Sequence, residues 1–317
     1  MSNEEFKLLV RVTKKYYLLD MKQDEIAQTE KISKSTVSRL LNKAKELGYV
    51  KINLDFPTLV MEELEKELKD VFNLKHIYIA ESYSRDERLI LSSVSDGLSR
   101  YLNTIISDGD LIGVSWGETM TYMSENLKLS PKKGVKIVQL NGGVARKNIS
   151  TLSEKILINF AENYDAVGYF LNVPSFVDNA EIANTIMQDS KIKEVLDLAE
   201  EADTVIFGIG YINKNSILVR AGYFSEKDYE NLRAEGFVGD ICSRYIKEDG
   251  SHATGELYNR VVGINLESIM KKKNSIGVVI GPEKAKATLA ALKGGYVNSL
   301  FTDEATAKEI VNLYKRE

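Results

Sequence analysis

Short glycine-rich segments of this sequence hold the polar residues that could bind a small anion. The first is residues 113–119, GVSWGET, which follow an apolar run and open a helical pattern. Glycine lets the backbone approach an anion, and the first turn of a helix presents unpaired N–H groups at the positive end of its dipole. Ser115 and Thr119 add hydroxyl donors beside Trp116, Gly117 and Glu118. The segment predicts a phosphate cradle without the Gly-Lys-Ser/Thr of a P-loop, although a tight turn that requires glycine would explain it equally well.

Five later segments add candidate groups for a ligand. They lie at residues 139–143, 174–179, 208–211, 239–244 and 281–284, and the candidates in them are Asn141, Gly142, Asp178, Gly208, Asp240 and Lys284. Asn141 can donate to and accept from sugar hydroxyls. Asp178 is equally consistent with a helix N-cap, and Asp240 with a turn cap or an ion pair to Arg244. Lys284 opens a helix and could reach a phosphate, although it could also be an isolated surface lysine.

Alternating strand-like and helical runs must position these segments. Strand-like runs occur at residues 75–80, 111–116, 135–143, 166–174, 203–210, 236–246, 261–266, 275–281 and 297–303. Helical patterns occur at 59–72, 88–106, 118–127, 150–164, 178–188, 191–200, 225–234, 283–292 and 303–314. Many of the strand-like runs are continuously apolar, which is typical of strands covered on both faces. The alternation predicts a Rossmann-like α/β fold with a largely parallel sheet, where ligands bind outside the carboxyl ends of the strands.

The first 55 residues follow another pattern, that of three short helices. The first spans residues 4–19, with a predicted inner face of Phe6, Leu9, Val10, Thr13, Tyr16 and Tyr17. Residues 23–47 predict two helices joined by a turn at 31–33, with Ser33 as the N-cap of the second. The apolar residues of that second helix recur at spacings of three and four, which predicts one buried stripe of Val37, Leu40, Leu41, Ala44 and Leu47.

Polar side chains of the same helix point away from this stripe. They are Lys34, Ser35, Thr36, Ser38, Arg39 and Lys43. Short hydroxyls and an arginine can reach base edges in a major groove, and lysines suit phosphates. The pattern predicts a helix-turn-helix, although Lys31 replaces the usual turn glycine and Glu30 an apolar residue. A capped amphipathic helix packed on a neighbour is the alternative.

The sequence predicts a domain boundary soon after this unit. Gly48 supplies a helix stop, residues 49–54 alternate as a strand that could be the wing of a winged helix, and Pro57 breaks the pattern. Residues 59–72 then form an amphipathic helix with Leu64, Leu68 and Val71 on one face. We expect a DNA-binding domain over residues 1–56 and a larger effector and oligomerisation domain over residues 57–317.

Composition narrows the class of protein. The 317 residues are 44% hydrophobic and 28% charged, as in a soluble globular protein of two or more domains. A net charge of −4 argues against nucleic-acid binding by the chain as a whole. Residues 1–55, however, carry eleven Lys/Arg and eight Asp/Glu, so this N-terminal part, the head, is basic and the remainder of the chain is acidic. We expect a cytoplasmic protein, because no run could cross a bilayer, no signal peptide precedes the first helix and the single Cys242 fits a reducing compartment. His76, His252 and one cysteine argue against a structural zinc site, and we expect no metal or cofactor.

These blocks, taken in order, resemble the sorbitol-operon regulator (SorC) family of bacterial sugar-sensing transcription factors. The likeness covers nearly the whole chain and is carried by KYYLLDMKQDEIA, ISKSTVSRLL, DGDLIGVSWGETM, VQLNGG, VGDICSRY and GPEKAKATLAALKGGYVNSLFTDEATA. Through GVSWGETM, VQLNGG, VPSFVDNA and VGDICSR the chain is most like the branch that regulates deoxyribonucleoside operons.

The resemblance implies a winged helix-turn-helix head, an effector domain similar to sugar-phosphate isomerases and deaminases, a phosphorylated sugar as inducer, and dimers or tetramers. It carries phosphate contacts to Ser115, Gly117, Thr119 and Lys284, and sugar contacts to the neighbourhood of Asn141, Asp178 and Asp240. Asn141 stands where the resemblance predicts a lysine, and an amide cannot form the Schiff base that a lysine forms with an aldehyde.

The sequence thus predicts a DNA-binding transcriptional regulator without catalytic residues, a repressor of a carbohydrate or nucleoside catabolic operon. A sugar-phosphate isomerase or deaminase with an added head is the alternative, with Asp178 or Asp240 as the base. An oligomeric scaffold whose head binds protein is a third possibility.

Overall fold

The computed structural model describes residues 2–50, 61–81, 86–128, 130–146 and 149–316. The chain divides into two compact units, Met1–Thr58 and Leu59–Glu317, and each has its own apolar core. Pro57 and residues 51–54 of the predicted wing lie outside the described residues, whereas Tyr49 and Val50 are not in a strand.

Within residues 2–50, the first unit contains three helices: α1 (Asn3–Leu18), α2 (Gln23–Glu30) and α3 (Lys34–Glu46). Ser33 caps α3 as predicted, because its hydroxyl accepts from the Thr36 N–H at 3.1 Å. The buried core is Leu9, Val12, Ile26, Val37, Leu40, Leu41 and Ala44. Two residues that were predicted to be buried are exposed. Phe6 is 40% exposed and packs edge-on against Tyr49. Leu47 is 47% exposed, and it follows the last residue of α3.

The second unit is built on a parallel sheet in the order β1-β11-β10-β7-β2-β3-β6. These strands are β1 (His76–Ala80), β2 (Leu111–Val114), β3 (Lys136–Gln139), β6 (Val167–Tyr169), β7 (Thr204–Tyr211), β10 (Asn274–Val278) and β11 (Ser299–Asp303). Strands β8 (Phe237–Ile241) and β9 (Arg244–Lys247) form an antiparallel hairpin that pairs with the end of β7, and β4 (Ala145–Arg146) pairs with β5 (Ile149–Ser150).

Helices cover the sheet. They are α4 (Glu62–Phe72), α5 (Glu87–Ile105), α6 (Glu118–Asn126), α7 (Ser153–Tyr164), α8 (Ala180–Gln188), α9 (Ser190–Glu201), α10 (Ile217–Arg220), α11 (Glu226–Ala234), α12 (Gly255–Asn259), α13 (Leu266–Ile269), α14 (Ala285–Lys293) and α15 (Glu304–Lys315). Along β7, Val205 and Phe207 belong to one buried cluster and Ile206 to another. Both faces of the strand are therefore covered, which explains its continuous apolar sequence. No helix in the described ranges is long and apolar enough to span a bilayer.

Three sequence expectations for this unit were wrong. Residues 236–246 are a hairpin and not one strand, because a turn at Cys242 and Ser243 reverses the chain. Residues 261–266 form only isolated bridges, and Val71 of α4 is 40% exposed. The short helices α10, α12 and α13 were not predicted, since one turn of helix is too short to show a 3.6-residue period.

Candidate functional site

A cleft of about 800 Å³ opens at the carboxyl ends of the central strands. Nine of the eleven residues predicted for the effector line it: Ser115, Trp116, Gly117, Glu118, Thr119, Asn141, Gly208, Asp240 and Lys284. Two do not. Gly142 does not line the cleft, and its carbonyl accepts from Nε1 of Trp116, which does, at 2.7 Å. Asp178 is exposed outside the cleft, and the N-cap of α8 is its neighbour Asn179.

The start of α6 supplies backbone donors to this cleft. Gly117 is the N-cap of α6, with φ 147° and no capping side chain, and its carbonyl accepts from Thr121 N–H at 2.8 Å. The N–H groups of the first helical turn have no partner inside the helix. An anion at this end would meet those N–H groups and the positive end of the dipole. The only carboxylate of that turn, Glu118, is 97% exposed.

Lys284 brings a cation to the cleft on the 3₁₀ turn Pro282–Lys284, just before α14. Two hydrogen bonds hold the start of this turn in place: Gly281 N–H donates to Asp303 Oδ2 at 3.0 Å and to Thr306 Oγ1 at 2.9 Å. That N–H is therefore already satisfied, and the ammonium of Lys284 is the group left for an anion.

A polar chain runs along the floor of the cleft. Ser115 Oγ donates to Asn141 Oδ1 at 3.0 Å, and Asn141 Nδ2 donates to Ser243 Oγ at 3.4 Å. Asn141 is fully buried, so its amide is used by the protein itself. The side chain that we predicted as a sugar contact thus supports the hydroxyls of Ser115 and Ser243, which line the cleft with it.

The hairpin turn beside this floor is strained. Cys242 and Ser243 both have positive φ, 51° and 68°, which suits a two-residue hairpin but normally requires glycine or asparagine. Each such non-glycine residue costs about 1 kcal/mol or more. Strain of this kind clusters at binding sites. Burial raises the pKa of the Cys242 thiol to about 12, so the sulfur is not a nucleophile near neutral pH.

Asp240 points into the cleft without an ion pair among the described residues. Its Oδ2 accepts from Ser243 N–H at 3.2 Å, and burial raises its pKa to about 6 despite this bond. The predicted alternative, a pair with Arg244, is wrong. Asp240 lies opposite Tyr245 in the hairpin and Arg244 lies opposite Ile241, and successive residues of a strand point to opposite faces. Asp240 lies opposite Gly210, where a Cβ would be 2.1 Å from Asp240 Oδ1, so the carboxylate requires glycine at that position.

Sequence reasoning missed several lining residues. Arg220 of α10 is one, with Nη1 4.0 Å from Glu118 Oε1, and Asn213, Asn215, Ser216, Cys242 and Ser243 are others. Nothing in the local sequence distinguishes those of the loop from β7 to α11, where Leu218 and Phe224 belong to a separate apolar cluster. Within the described ranges, no group of three His, Cys, Asp or Glu residues is placed to bind a metal ion.

The first unit presents the outer face of α3 as a second candidate surface. Ser35, Arg39, Lys43 and Lys34 are exposed, and Thr36 and Ser38 are half-buried. Lys34 is paired with Asp24 at 2.9 Å, and the hydroxyls of Ser35 and Thr36 each lie 2.8 Å from Ser33 Oγ. Asn42 is also exposed one turn after Ser38 and Arg39, so this amide belongs to the same face and was missed.

The two residues that depart from the helix-turn-helix pattern have local explanations. Lys31 adopts φ 54°, the left-handed conformation that glycine usually supplies. Glu30 ties α2 to α1 through Arg11 Nη2 at 3.0 Å and Lys15 Nζ at 2.8 Å. Hydrogen bonds from Arg11 and then Lys15 hold the pKa of Glu30 below its ordinary value. An ion-pair cluster thus replaces the apolar contact.

Comparison with known proteins decides the family. Residues 57–312 match the family model for a sugar-binding domain. The chain is 33% identical over 312 residues to the deoxyribonucleoside regulator of Bacillus subtilis, covering 98% of this chain and 99% of that one. The chain belongs to the SorC family of sugar-binding transcriptional regulators. It is also 30% identical over 314 residues to the sorbitol operon regulator of Klebsiella pneumoniae, covering 97% and 98% of the two chains.

The structural similarity to a SorC-family protein covers residues of both units. The crystal structure of the full-length sorbitol operon regulator from Klebsiella pneumoniae matches with a TM-score of 0.72 at 28% identity, covering 98% of this chain and 100% of that one. The predicted α/β effector fold and the predicted class of protein, a transcriptional regulator, are thereby confirmed.

Proposed function

We propose that this SorC-family chain is a repressor of a carbohydrate or nucleoside catabolic operon and that a phosphorylated sugar releases it from DNA. The observation that carries the proposal is the cleft, where the open N-terminus of α6 and Lys284 line one space with the hydroxyls of Ser115 and Thr119. Backbone donors, a helix dipole and one ammonium favour a phosphate over a neutral sugar.

The sugar would lie toward Asp240 and the floor. Asp240 accepts hydroxyl protons, and Ser115 and Ser243 can donate or accept. Since position 141 is a buried amide and the thiol of Cys242 is protonated near neutral pH, we propose that the effector binds without a covalent bond.

The outer face of α3 would read DNA. Arg39 and Asn42 can make paired hydrogen bonds to base edges, while Lys43 suits a phosphate. We infer that the protein acts as a dimer or tetramer, so that two heads span half-sites roughly 34 Å apart or a multiple of that. The effector can act only through unequal affinity for the DNA-competent and DNA-incompetent states.

Melting experiments with sugars test the effector class. Phosphorylated pentoses and hexoses should raise the melting temperature, since a ligand bound to the native state stabilises it, whereas their unphosphorylated forms should not. Lys284→Ala should abolish this shift and leave operator binding intact. Lys286→Ala is the matched control, because Lys286 lies two residues further along the chain, in α14, but is paired with Glu248 at 2.9 Å. Equal responses of the Lys284 variant and wild type would refute the assignment.

Binding to operator and random DNA tests the head. Arg39→Ala should weaken operator binding more than random-DNA binding, by about 1–3 kcal/mol at the base that it reads. Lys14→Ala, at an exposed position on α1 and not on α3, is the control. Equal losses on both DNAs would show that Arg39 contacts phosphate only.

We also infer that the chain is not an enzyme, because its relatives bear the names of transcriptional regulators. One observation favours the alternative function, a sugar-phosphate isomerase or deaminase: the pKa of Asp240, about 6, lies in the range of a general base. Turnover of a phosphorylated sugar by the pure protein, lost in Asp240→Asn, would decide for the rival.

A further inference from the structure

An ion pair between Lys34 and Asp24 lies at the N-terminal end of α3, the helix that we propose reads DNA. Lys34 is the first residue of α3, and its Nζ is 2.9 Å from Oδ2 of Asp24, which lies in the first turn of α2. Both side chains are exposed, Lys34 at 63% and Asp24 at 65%. Other ions can therefore compete for either group.

This pair differs from the other ion pairs of the head. Within residues 2–50, the others lie inside α1 or join α1 to α2. Only Asp24, in this part of the chain, pairs with a side chain on the outer face of α3. The start of α2 does not depend on Asp24 for capping, because the Lys22 N–H donates to Glu25 Oε2 at 3.0 Å.

An anion is favoured at the start of α3. The first turn of this helix contains no acidic residue, and Lys34 adds a cation to the positive end of the helix dipole. The Asp24 carboxylate of α2 supplies the negative charge at this point. DNA phosphates bind to the same kinds of group, since they accept from lysines and from the N–H groups of helix N-termini. A carboxylate and a phosphate are therefore interchangeable partners of Lys34.

We propose that Asp24 mimics a DNA phosphate and competes with DNA for Lys34, so that one phosphate contact is blocked in the free head. The inference rests on the proposed function, because it takes the outer face of α3 as the surface that binds DNA. A phosphate contact releases counterions only when it brings positive charge to the DNA, and a lysine paired with a carboxylate brings none. The pair thus lowers the sequence-independent part of the affinity for DNA.

Binding of the full chain to a short random-sequence duplex tests the proposal, because a phosphate contact requires no operator sequence. Asp24→Asn removes the charge and keeps the size of the side chain. The variant should bind about eightfold more tightly than wild type at about 0.1 M salt, and the slope of log K against log salt should steepen by about 0.9, the value for one phosphate contact. Titrations between about 0.05 and 0.2 M salt measure both quantities.

Glu4→Gln is the matched control. Glu4 is an exposed carboxylate that pairs with Lys7 at 3.1 Å, so the substitution removes the same charge and opens a similar ion pair, but within α1 and not on α3. This variant should change the affinity for the duplex by less than about twofold, because salt screens charges that do not touch the DNA.

A double-mutant cycle with Lys34→Ala shows whether the gain passes through Lys34. In the Lys34→Ala background, Asp24→Asn should tighten binding no more than the control does. An equal gain with and without Lys34 would overturn the inference. An Asp24→Asn variant with the affinity and slope of a wild type that binds the duplex would also overturn it and leave the proposed function intact. If neither protein binds the duplex at low salt, the proposed function falls and the inference falls with it.

Discussion

Asp240→Asn should make the effector unit more stable and less responsive at the same time. The carboxylate is held in a cleft where its pKa rises from 3.8 to about 6. At about 1.36 kcal/mol per pKa unit, keeping it ionised costs roughly 3 kcal/mol at pH 7. An amide keeps an oxygen to accept from Ser243 N–H and carries no charge, so the substitution should return most of this energy.

The sign follows from linkage. The folded state binds the proton of Asp240 more tightly than the unfolded state, so the wild type loses stability as the pH rises from about 4 to about 6. The stabilisation by the amide should therefore be about 3 kcal/mol at pH 7 and less than about 1 kcal/mol at pH 4. Effector affinity should fall, because an amide can accept fewer hydroxyl protons than a carboxylate.

Urea unfolding followed by Trp116 fluorescence provides the assay. Trp116 is the only tryptophan, and it lines the cleft, so its signal reports the effector unit without a contribution from the head. A variant less stable than wild type at pH 7, or equally stabilised at both pH values, would refute the reasoning. The first result would mean that the carboxylate makes a contact worth more than its desolvation, and the second that ionisation is not the cause.

Three further changes test local geometry. Gly210→Ala should displace the Asp240 carboxylate and destabilise the unit by about 1–3 kcal/mol, measured by the same fluorescence. Lys31→Gly should stabilise the head by up to about 1 kcal/mol, because φ 54° costs lysine more than glycine, and should slow exchange of the α3 amides up to about fivefold. Glu30→Ala should destabilise the head by about 1 kcal/mol at neutral pH. Since the pKa of Glu30 is lowered in the fold, that loss should shrink as the pH falls through the folded pKa, which hydrogen exchange at several pH values can follow.

The spacing of apolar residues in the sequence was sufficient to predict an element and its buried side where that element buries one face. The spacing of Val37, Leu40, Leu41 and Ala44 predicted both the helix α3 and its buried side, and these four residues are buried. The apolar runs of β7 and β10 likewise predicted strands covered on both faces. These features depend on neighbours a few residues away, so a sequence contains them directly.

Local pattern failed where a residue's surroundings come from distant segments. Residues 236–246 contain no glycine at the reversal, so the hairpin turn at Cys242 and Ser243 was invisible, and with it the separation of Asp240 from Arg244 onto opposite faces. Asp178 follows a predicted strand as the other candidates do, although its segment contains no glycine, and it lies outside the cleft. Both outcomes depend on tertiary contacts that no spacing rule encodes.

By itself, the sequence determined which groups could bind an anion and that strand ends would present them. Only the tertiary structure decided which of them share one cleft. The strand order places β2, β7 and β10 side by side, so Ser115, Gly208 and Lys284 come together from distant parts of the chain. Strand order depends on the burial of both faces of the sheet at once, which is a property of the whole unit. The local sequence around Arg220 therefore did not predict that this residue lines the cleft.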